Sequence, residues 1–205
     1  MSSLQGIWRS AAGAVSTQST LVLPDGKVWT VISTANATRL IKGSFAAQGN
    51  NYLASGKSFT LGTTTTSSTS LTATVLEKTS LSGVIITGSQ SENYSLAYQS
   101  RYDTAAALAD FGGTWSGAVG PGVVTWVINA AGALTGTRTT GCTYTGQLSL
   151  RPERKAVADA VVRETCAGVL AELSGIVVKT EDKLGINFLL TNADESAGVA
   201  VNLSK

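Results

Sequence analysis

The side chains best placed for chemistry in this sequence are Trp126, Arg138, Tyr144 and Glu164. The run "CTYTGQLSL" (Cys142–Leu150) alternates with period two. Cys142, Tyr144, Gly146, Leu148 and Leu150 therefore share one strand face, and Thr143, Thr145, Gln147 and Ser149 the other. If Arg151–Lys155 turns the chain back, Glu164 falls opposite Tyr144, on the face that carries Leu148, Ala160 and Val162. A carboxylate facing an apolar interior has a raised pKa or keeps a buried partner, and Arg138, on the Trp126 face, is a candidate for that partner. Two roles fit: a polar anchor inside a ligand cavity, or an ion pair at a barrel mouth.

The same turn sets Cys142 and Cys166 side by side at the base of the hairpin. A disulfide there contributes about 3 kcal/mol by loop-closure entropy. The other reading is two buried thiols in a cytosolic protein. The composition, with 14% charged residues and much Ser, Thr, Gly and Ala, is that of a secreted or surface protein, which favours the disulfide.

Other chemistry is excluded or poorly supported. The chain has no histidine, so Ser-His and Cys-His pairs, histidine metal ligands and an imidazole base are all missing. Two cysteines cannot build a structural zinc site alone. The acidic pairs Glu181-Asp182 and Asp194-Glu195 lack calcium-loop spacing, and no spacing sets two acids together for glycoside hydrolysis. "KTS" (Lys78–Ser80) and "GKS" (Gly56–Ser58) are short matches to Ser-Lys catalysis, and the second lacks the glycines and helix of a phosphate loop. No catalytic residue, cofactor or metal site is expected.

The elements that must position these residues are strands. "LVLPDGKVW" (Leu21–Trp29) is a hairpin in which Pro24 presets the turn and Gly26 takes the left-handed position, setting Leu21 opposite Trp29 and Leu23 opposite Lys27. "VTWVINAAGALTGTR" (Val124–Arg138) repeats the device, with Ile128 facing Leu134 and Trp126 lying over Gly136. "TTTTSSTS" (Thr63–Ser70) reads as a polar loop or exposed strand edge. "DTAAALADF" (Asp103–Phe111) is the best helical candidate, capped by Asp103 or Thr104 and stopped by Gly112-Gly113.

Gly6-Ile7-Trp8 and Gly113-Thr114-Trp115, "LSGVII" (Leu81–Ile86) and "LSGIVV" (Leu173–Val178), and "NYSLAY" (Asn93–Tyr98) and "INFLLT" (Ile186–Thr191) recur in the same order, which predicts an internal duplication. The expected fold is all-β: two tandem antiparallel eight-stranded barrels or sandwiches joined by a short helical linker. The expected limits are 1–103 for the first repeat, 104–111 for the linker and 112–205 for the second repeat with its disulfide.

The strings "GIW", "LVLPDGKVW", "YQSRYDTAAALADFGGTWSG", "GALTG" and "GCTYTGQL", followed by Cys166, resemble a family of two-repeat proteobacterial secreted proteins and lipoproteins. That resemblance implies a compartment and a repeat architecture, and lends no activity. Members usually begin at a lipidated cysteine, which this sequence does not show; a lipid anchor would belong to a full-length precursor. A weaker likeness is to calycin barrels, the lipocalins and avidins, whose first strand carries Gly-x-Trp with a basic residue packed on the ring. By that likeness Arg101 meets Trp8 and Lys205 meets Trp115, and Trp8, Arg101 and Trp115 are architectural.

A net charge of +2 gives no basic stripe for nucleic acid, and no apolar run nears the roughly 18 residues of a membrane span. "MSSLQGIW" reads as a mature domain behind a new Met rather than a leader. The expectation is a non-enzymatic binding protein of the periplasm, outer-membrane surface or extracellular space. Its partner would be a protein, a glycan or a small apolar ligand. The alternatives are an inhibitor or immunity-type protein acting through a hairpin such as Leu23–Lys27, and a barrel enzyme using carboxylates alone.

Overall fold

A computed structural model describes residues 4–48, 51–180 and 182–205. Glu181, named above among the acidic pairs, lies outside the described residues. Two compact units, Met1–Tyr102 and Asp103–Lys205, are each an antiparallel barrel of eight strands. The first is built from β1 (Gly6–Arg9), β2 (Thr17–Val22), β3 (Lys27–Ser33), β4 (Thr38–Gln48), β5 (Asn51–Thr60), β6 (Thr66–Leu76), β7 (Ser80–Thr87) and β8 (Gln90–Gln99). The second is built from β9 (Gly113–Val119), β10 (Gly122–Ile128), β11 (Ala133–Arg138), β12 (Thr143–Leu150), β13 (Val157–Cys166), β14 (Val169–Lys179), β15 (Gly185–Thr191) and β16 (Gly198–Ser204).

Each strand pairs with its sequence neighbours, β8 returns onto β1 through Trp8↔Tyr98, and β16 onto β9 through Ser204↔Ser116. Closure decides for barrels over sandwiches. It also leaves no free strand edge among the described residues, so "TTTTSSTS" is not an edge: it ends in β6, which pairs with both β5 and β7. Eight strands enclose a space that side chains can fill, and Trp8, Trp115, Trp126 and Phe188 fill it with 1% exposure or less. Among the described residues, no helix is long and apolar enough to cross a membrane.

The duplication is strongest in the first four strands of each unit. Gly26 and Gly132 both take φ +82° in the turns β2–β3 and β10–β11. Their carbonyls accept from Phe45 N and Leu148 N respectively, each at 2.8 Å. Trp8 Nε1 donates to Leu4 O at 3.1 Å and Trp115 Nε1 to Phe111 O at 2.9 Å, each four residues back.

The hexapeptide echo does not mark equivalent strands. "LSGVII" lies in β7, the seventh strand of its barrel, whereas "LSGIVV" lies in β14, the sixth strand of the other. "NYSLAY" and "INFLLT" are displaced the same way, in β8 and β15.

The expected helix over 103–111 is also different. Two 3-10 turns, Ser100–Asp103 and Leu108–Phe111, stand in its place, and Asp110 accepts the Ala107 N–H at 2.7 Å. Nine residues are too few to hold an α-helix without a packed face, and here Phe111 is taken into the second barrel's core. Residues 104–111 are thus part of the second unit rather than a separate linker.

Candidate functional site

One rung of the second barrel carries Trp115, Trp126, Gly136, Tyr144 and Glu164, joined in that order by strand pairing. Side chains directly opposite on neighbouring strands share a face, so β9 to β13 deliver all of them to the interior. The Trp126 ring needs the glycine across from it: a Cβ on Gly136 would lie 2.5 Å from Trp126 Cδ1. Trp126 then meets Tyr144 edge-on at 5.3 Å and Phe188 at 4.9 Å between ring centroids.

Towards the β11–β12 end, Tyr144 Oη donates to Glu164 Oε1, and Arg138 Nη1 stands 3.6 Å from the same oxygen. Arg138 Nη2 also donates to Val119 O, fastening the β9–β10 turn. Gly120 and Gly122 leave room for this, since a Cβ on either would lie 2.9 and 3.1 Å from the guanidinium. The disulfide Cys142–Cys166 closes the same end, one residue beyond the pair Thr143↔Thr165. The expected cluster and the expected cross-link are therefore one structure.

Trp126 is 1% exposed and packed by Tyr144 and Phe188. Trp126 Nε1 and Arg138 Nε make no hydrogen bond among the described residues. The arrangement is the ion pair at a barrel mouth. Its chemistry is bracing: a carboxylate between a phenol and a guanidinium fixes three strands. Cys142, Glu164 and Cys166 bring ligand atoms within 4.8 Å of one another, but the disulfide occupies both sulfurs.

The first barrel has a different rung. Trp8, Thr20, Thr30, Ile41 and Ser58 follow the same pairing order. Thr20 and Thr30, bonded through their hydroxyls at 3.0 Å, stand where the second barrel has Trp126 and Gly136. The Tyr–Glu–Arg brace thus belongs to the second repeat alone.

The architectural residues are placed as follows. Trp8 is fully buried and meets Tyr98 edge-on at 5.1 Å. Lys205 Nζ sits 4.7 Å from the Trp115 ring centroid, as the calycin likeness implies. Arg101 is half-buried on the 3-10 turn that follows β8, the strand paired with β1. The Leu23–Lys27 hairpin is no free finger, because Leu23 is buried and Phe45 N–H binds Gly26 O. In the basic turn at Arg151–Lys155, two side chains are committed internally: Arg151 binds Glu153 and Asp159, and Lys155 binds Asp103.

The feature that alternation missed is the tip of the β13–β14 hairpin. Ala167 and Gly168 turn the chain with φ of 48° and 81°, the two-residue geometry that matches strand twist. Val169 and Leu170 follow directly, 70% and 62% exposed. The signal was "CAGVL": an apolar pair beside a small-residue turn.

Burial, and after it the Glu164 carboxylate, which takes its hydrogen bond and repels a phenolate, push the Tyr144 hydroxyl well above the phenol range. Burial alone does the same to Tyr94, whose hydroxyl donates to Thr72 O at 2.6 Å. The native state holds these protons where the unfolded chain has lost them. Their contribution to stability is therefore complete below about pH 10 and is lost as pH rises through the higher native values. Carbon NMR of the Tyr94 and Tyr144 ring Cζ atoms should show no ionisation at about pH 10. Midpoints at the free-phenol value would overturn the brace geometry.

Comparison with protein-family models, with curated proteins and with solved structures gives no match for this chain, so the functional reading stands on residues and geometry.

Proposed function

We propose that the protein is a non-enzymatic binding module of the bacterial periplasm, outer-membrane surface or extracellular space, and that it recognises a partner protein through the β13–β14 tip. The observation that carries this reading is the exposed pair Val169-Leu170, set directly after a disulfide-anchored turn. Interface hot spots join an apolar centre to a polar rim. Here the rim is Arg163 and Glu172, half-exposed and bonded to each other at 2.7 Å. A braced tip loses little entropy on binding, which gives the Tyr144–Glu164–Arg138 brace a purpose. An inhibitor or immunity protein is the form this reading takes when the partner is an enzyme.

The disulfide supports an oxidising compartment, as does the likeness to two-repeat secreted proteins. The acids Glu92, Glu153, Asp159, Glu164 and Glu172 are each held by an arginine, which favours structural work over catalysis.

The experiment uses the whole protein and its Val169→Ser/Leu170→Ser variant as baits on periplasmic and extracellular fractions. A protein retained by the wild type should bind the variant at least tenfold more weakly, about 1.4 kcal/mol. The melting temperature should hardly move, since both side chains are exposed. Equal retention by both baits would overturn the assignment to this tip.

A further inference from the structure

The disulfide of the second barrel sits beside a carboxylate with one oxygen to spare. Glu164 stands two residues before Cys166 in β13, so the two side chains share the strand's inner face. Cys142 lies directly across, one step beyond the pair Thr143↔Thr165. Both sulfurs and a carboxylate oxygen fall within 4.8 Å of one another. Tyr144 Oη and Arg138 Nη1 both engage Glu164 Oε1. Among the described residues nothing binds Oε2.

Reduction turns this corner into a ligand set. A dithiol reductant passes two electrons and two protons to the Cys142–Cys166 bond and is itself oxidised to a disulfide, leaving two protein thiols. Their Cα atoms are 4.4 Å apart on paired strands, which keeps the freed sulfurs neighbours. Zinc holds sulfur at about 2.3 Å and carboxylate oxygen at about 2.0–2.2 Å, so its tetrahedral ligand atoms stand roughly 3.5–4 Å apart. The cluster meets that spread with small side-chain movements.

The surroundings suit a divalent cation. Carboxylates that ligate a metal are themselves hydrogen-bonded, and Tyr144 already donates to Oε1. Thr140 Oγ1, 3.8 Å from Cys142 Sγ, is placed to donate to a thiolate. Two thiolates and a carboxylate outweigh zinc by one negative charge, which the Arg138 guanidinium offsets. The site is also within reach of solvent, since Cys166 is half-buried and the Glu164 side chain is 24% exposed.

We propose that the protein, once its disulfide is reduced, holds one zinc ion through Cys142 Sγ, Cys166 Sγ and Glu164 Oε2, with water in the fourth position. Binding expels the protons of both thiols. The same ends of β12 and β13 are then joined by a covalent bond in an oxidising medium and by a metal ion in a reducing one. This site does not rest on what the β13–β14 tip binds.

The test uses the full chain, reduced with a phosphine, freed of it without air, and titrated with zinc against a chromophoric chelator. The reduced protein should take up one zinc per chain with release of protons, and the oxidised protein none. X-ray absorption at the zinc edge should count two sulfur neighbours at about 2.3 Å, with oxygen neighbours at about 2.0–2.2 Å. Glu164→Gln, folded first with its disulfide intact, should bind about tenfold or more weakly after reduction. Glu172→Gln, which alters only the exposed pair with Arg163, should bind as the wild type does. Zinc should raise the melting temperature of the reduced wild type and leave that of Cys142→Ser/Cys166→Ser unchanged.

Several results would overturn the proposal. No uptake by the reduced protein would end it. Equal uptake by the oxidised protein would put the metal elsewhere. Two chains per zinc would mean thiol bridging between molecules. A sulfur count other than two, or wild-type affinity in Glu164→Gln, would dissolve the three-residue site. If reduced Glu164→Gln unfolds, the neighbour count in the wild type decides.

Discussion

Trp8→Ala should cost the first barrel about 3–5 kcal/mol, the usual loss for a buried tryptophan cut to alanine. Three contacts go together. The ring is fully buried, its Nε1–H holds the Leu4 carbonyl at 3.1 Å, and its edge-on contact with Tyr98 ties β1 to β8. The backbone beside it cannot relax freely. Gly6 has φ +155°, and a Cβ there would lie 2.5 Å from the Tyr98 ring. Domains are stable by only about 5–15 kcal/mol, and each lost kcal/mol lowers the melting temperature by about 4–8 °C at this size. A fall of roughly 12–40 °C is therefore expected. Amide exchange should show protection lost from β1 to β8. Unchanged exchange there would mean the ring is not the keystone of closure. Trp29, in β3, is 3% exposed, with Lys42 Nζ 5.2 Å from its ring centroid. Its replacement is costly too.

What the sequence makes legible follows from how local each rule is. Turn residues and period-two alternation set hairpin register, so Leu21↔Trp29, Trp126↔Gly136 and Tyr144↔Glu164 all stand as expected. The disulfide follows from the same register. Closure does not, because a barrel and a sandwich alternate identically and differ only in which distant strands meet.

The hexapeptide echo misleads for a physical reason. A Cβ on Gly83 would lie 1.9 Å from Thr72 O, and one on Gly175 would lie 2.0 Å from Leu189 O. Both glycines serve places where a neighbouring strand's carbonyl comes too close for any side chain. Gly56, in β5, does the same against Lys42 O at 2.1 Å. Bent barrel strands recruit similar words at different positions, so "LSG" reports a local need and not descent of one strand from another. The brace at Tyr144 was legible, but its role was not. Whether Glu164 faced a cavity or a packed mouth depended on Phe188, which arrives from a strand two removed along the sheet from β13.

Reduction of Cys142–Cys166, or replacement of both residues by serine, should lower the second barrel's stability by about 3 kcal/mol. The cysteines are 24 residues apart, and loop-closure entropy for a loop of that length gives a figure of that order, about 3.5 kcal/mol. The native contacts leave little to offset it. Beyond Thr143↔Thr165, the cross-link is what joins β12 to β13 at this end of the ladder. Glu164 and Tyr144 lie within two residues of it, so fraying there would also separate the phenol from its carboxylate. Two measurements check the chain of cause. Urea unfolding with and without a thiol reductant should differ in midpoint, with the reduced protein weaker. The Tyr144 hydroxyl in the reduced protein should titrate closer to an ordinary phenol as its carboxylate and its burial are lost. Identical midpoints would make the disulfide energetically idle. A large loss of stability with Tyr144 unchanged would instead confine its action to the unfolded chain, and the rigidity of the Val169-Leu170 tip would then rest on the Ala167-Gly168 turn alone.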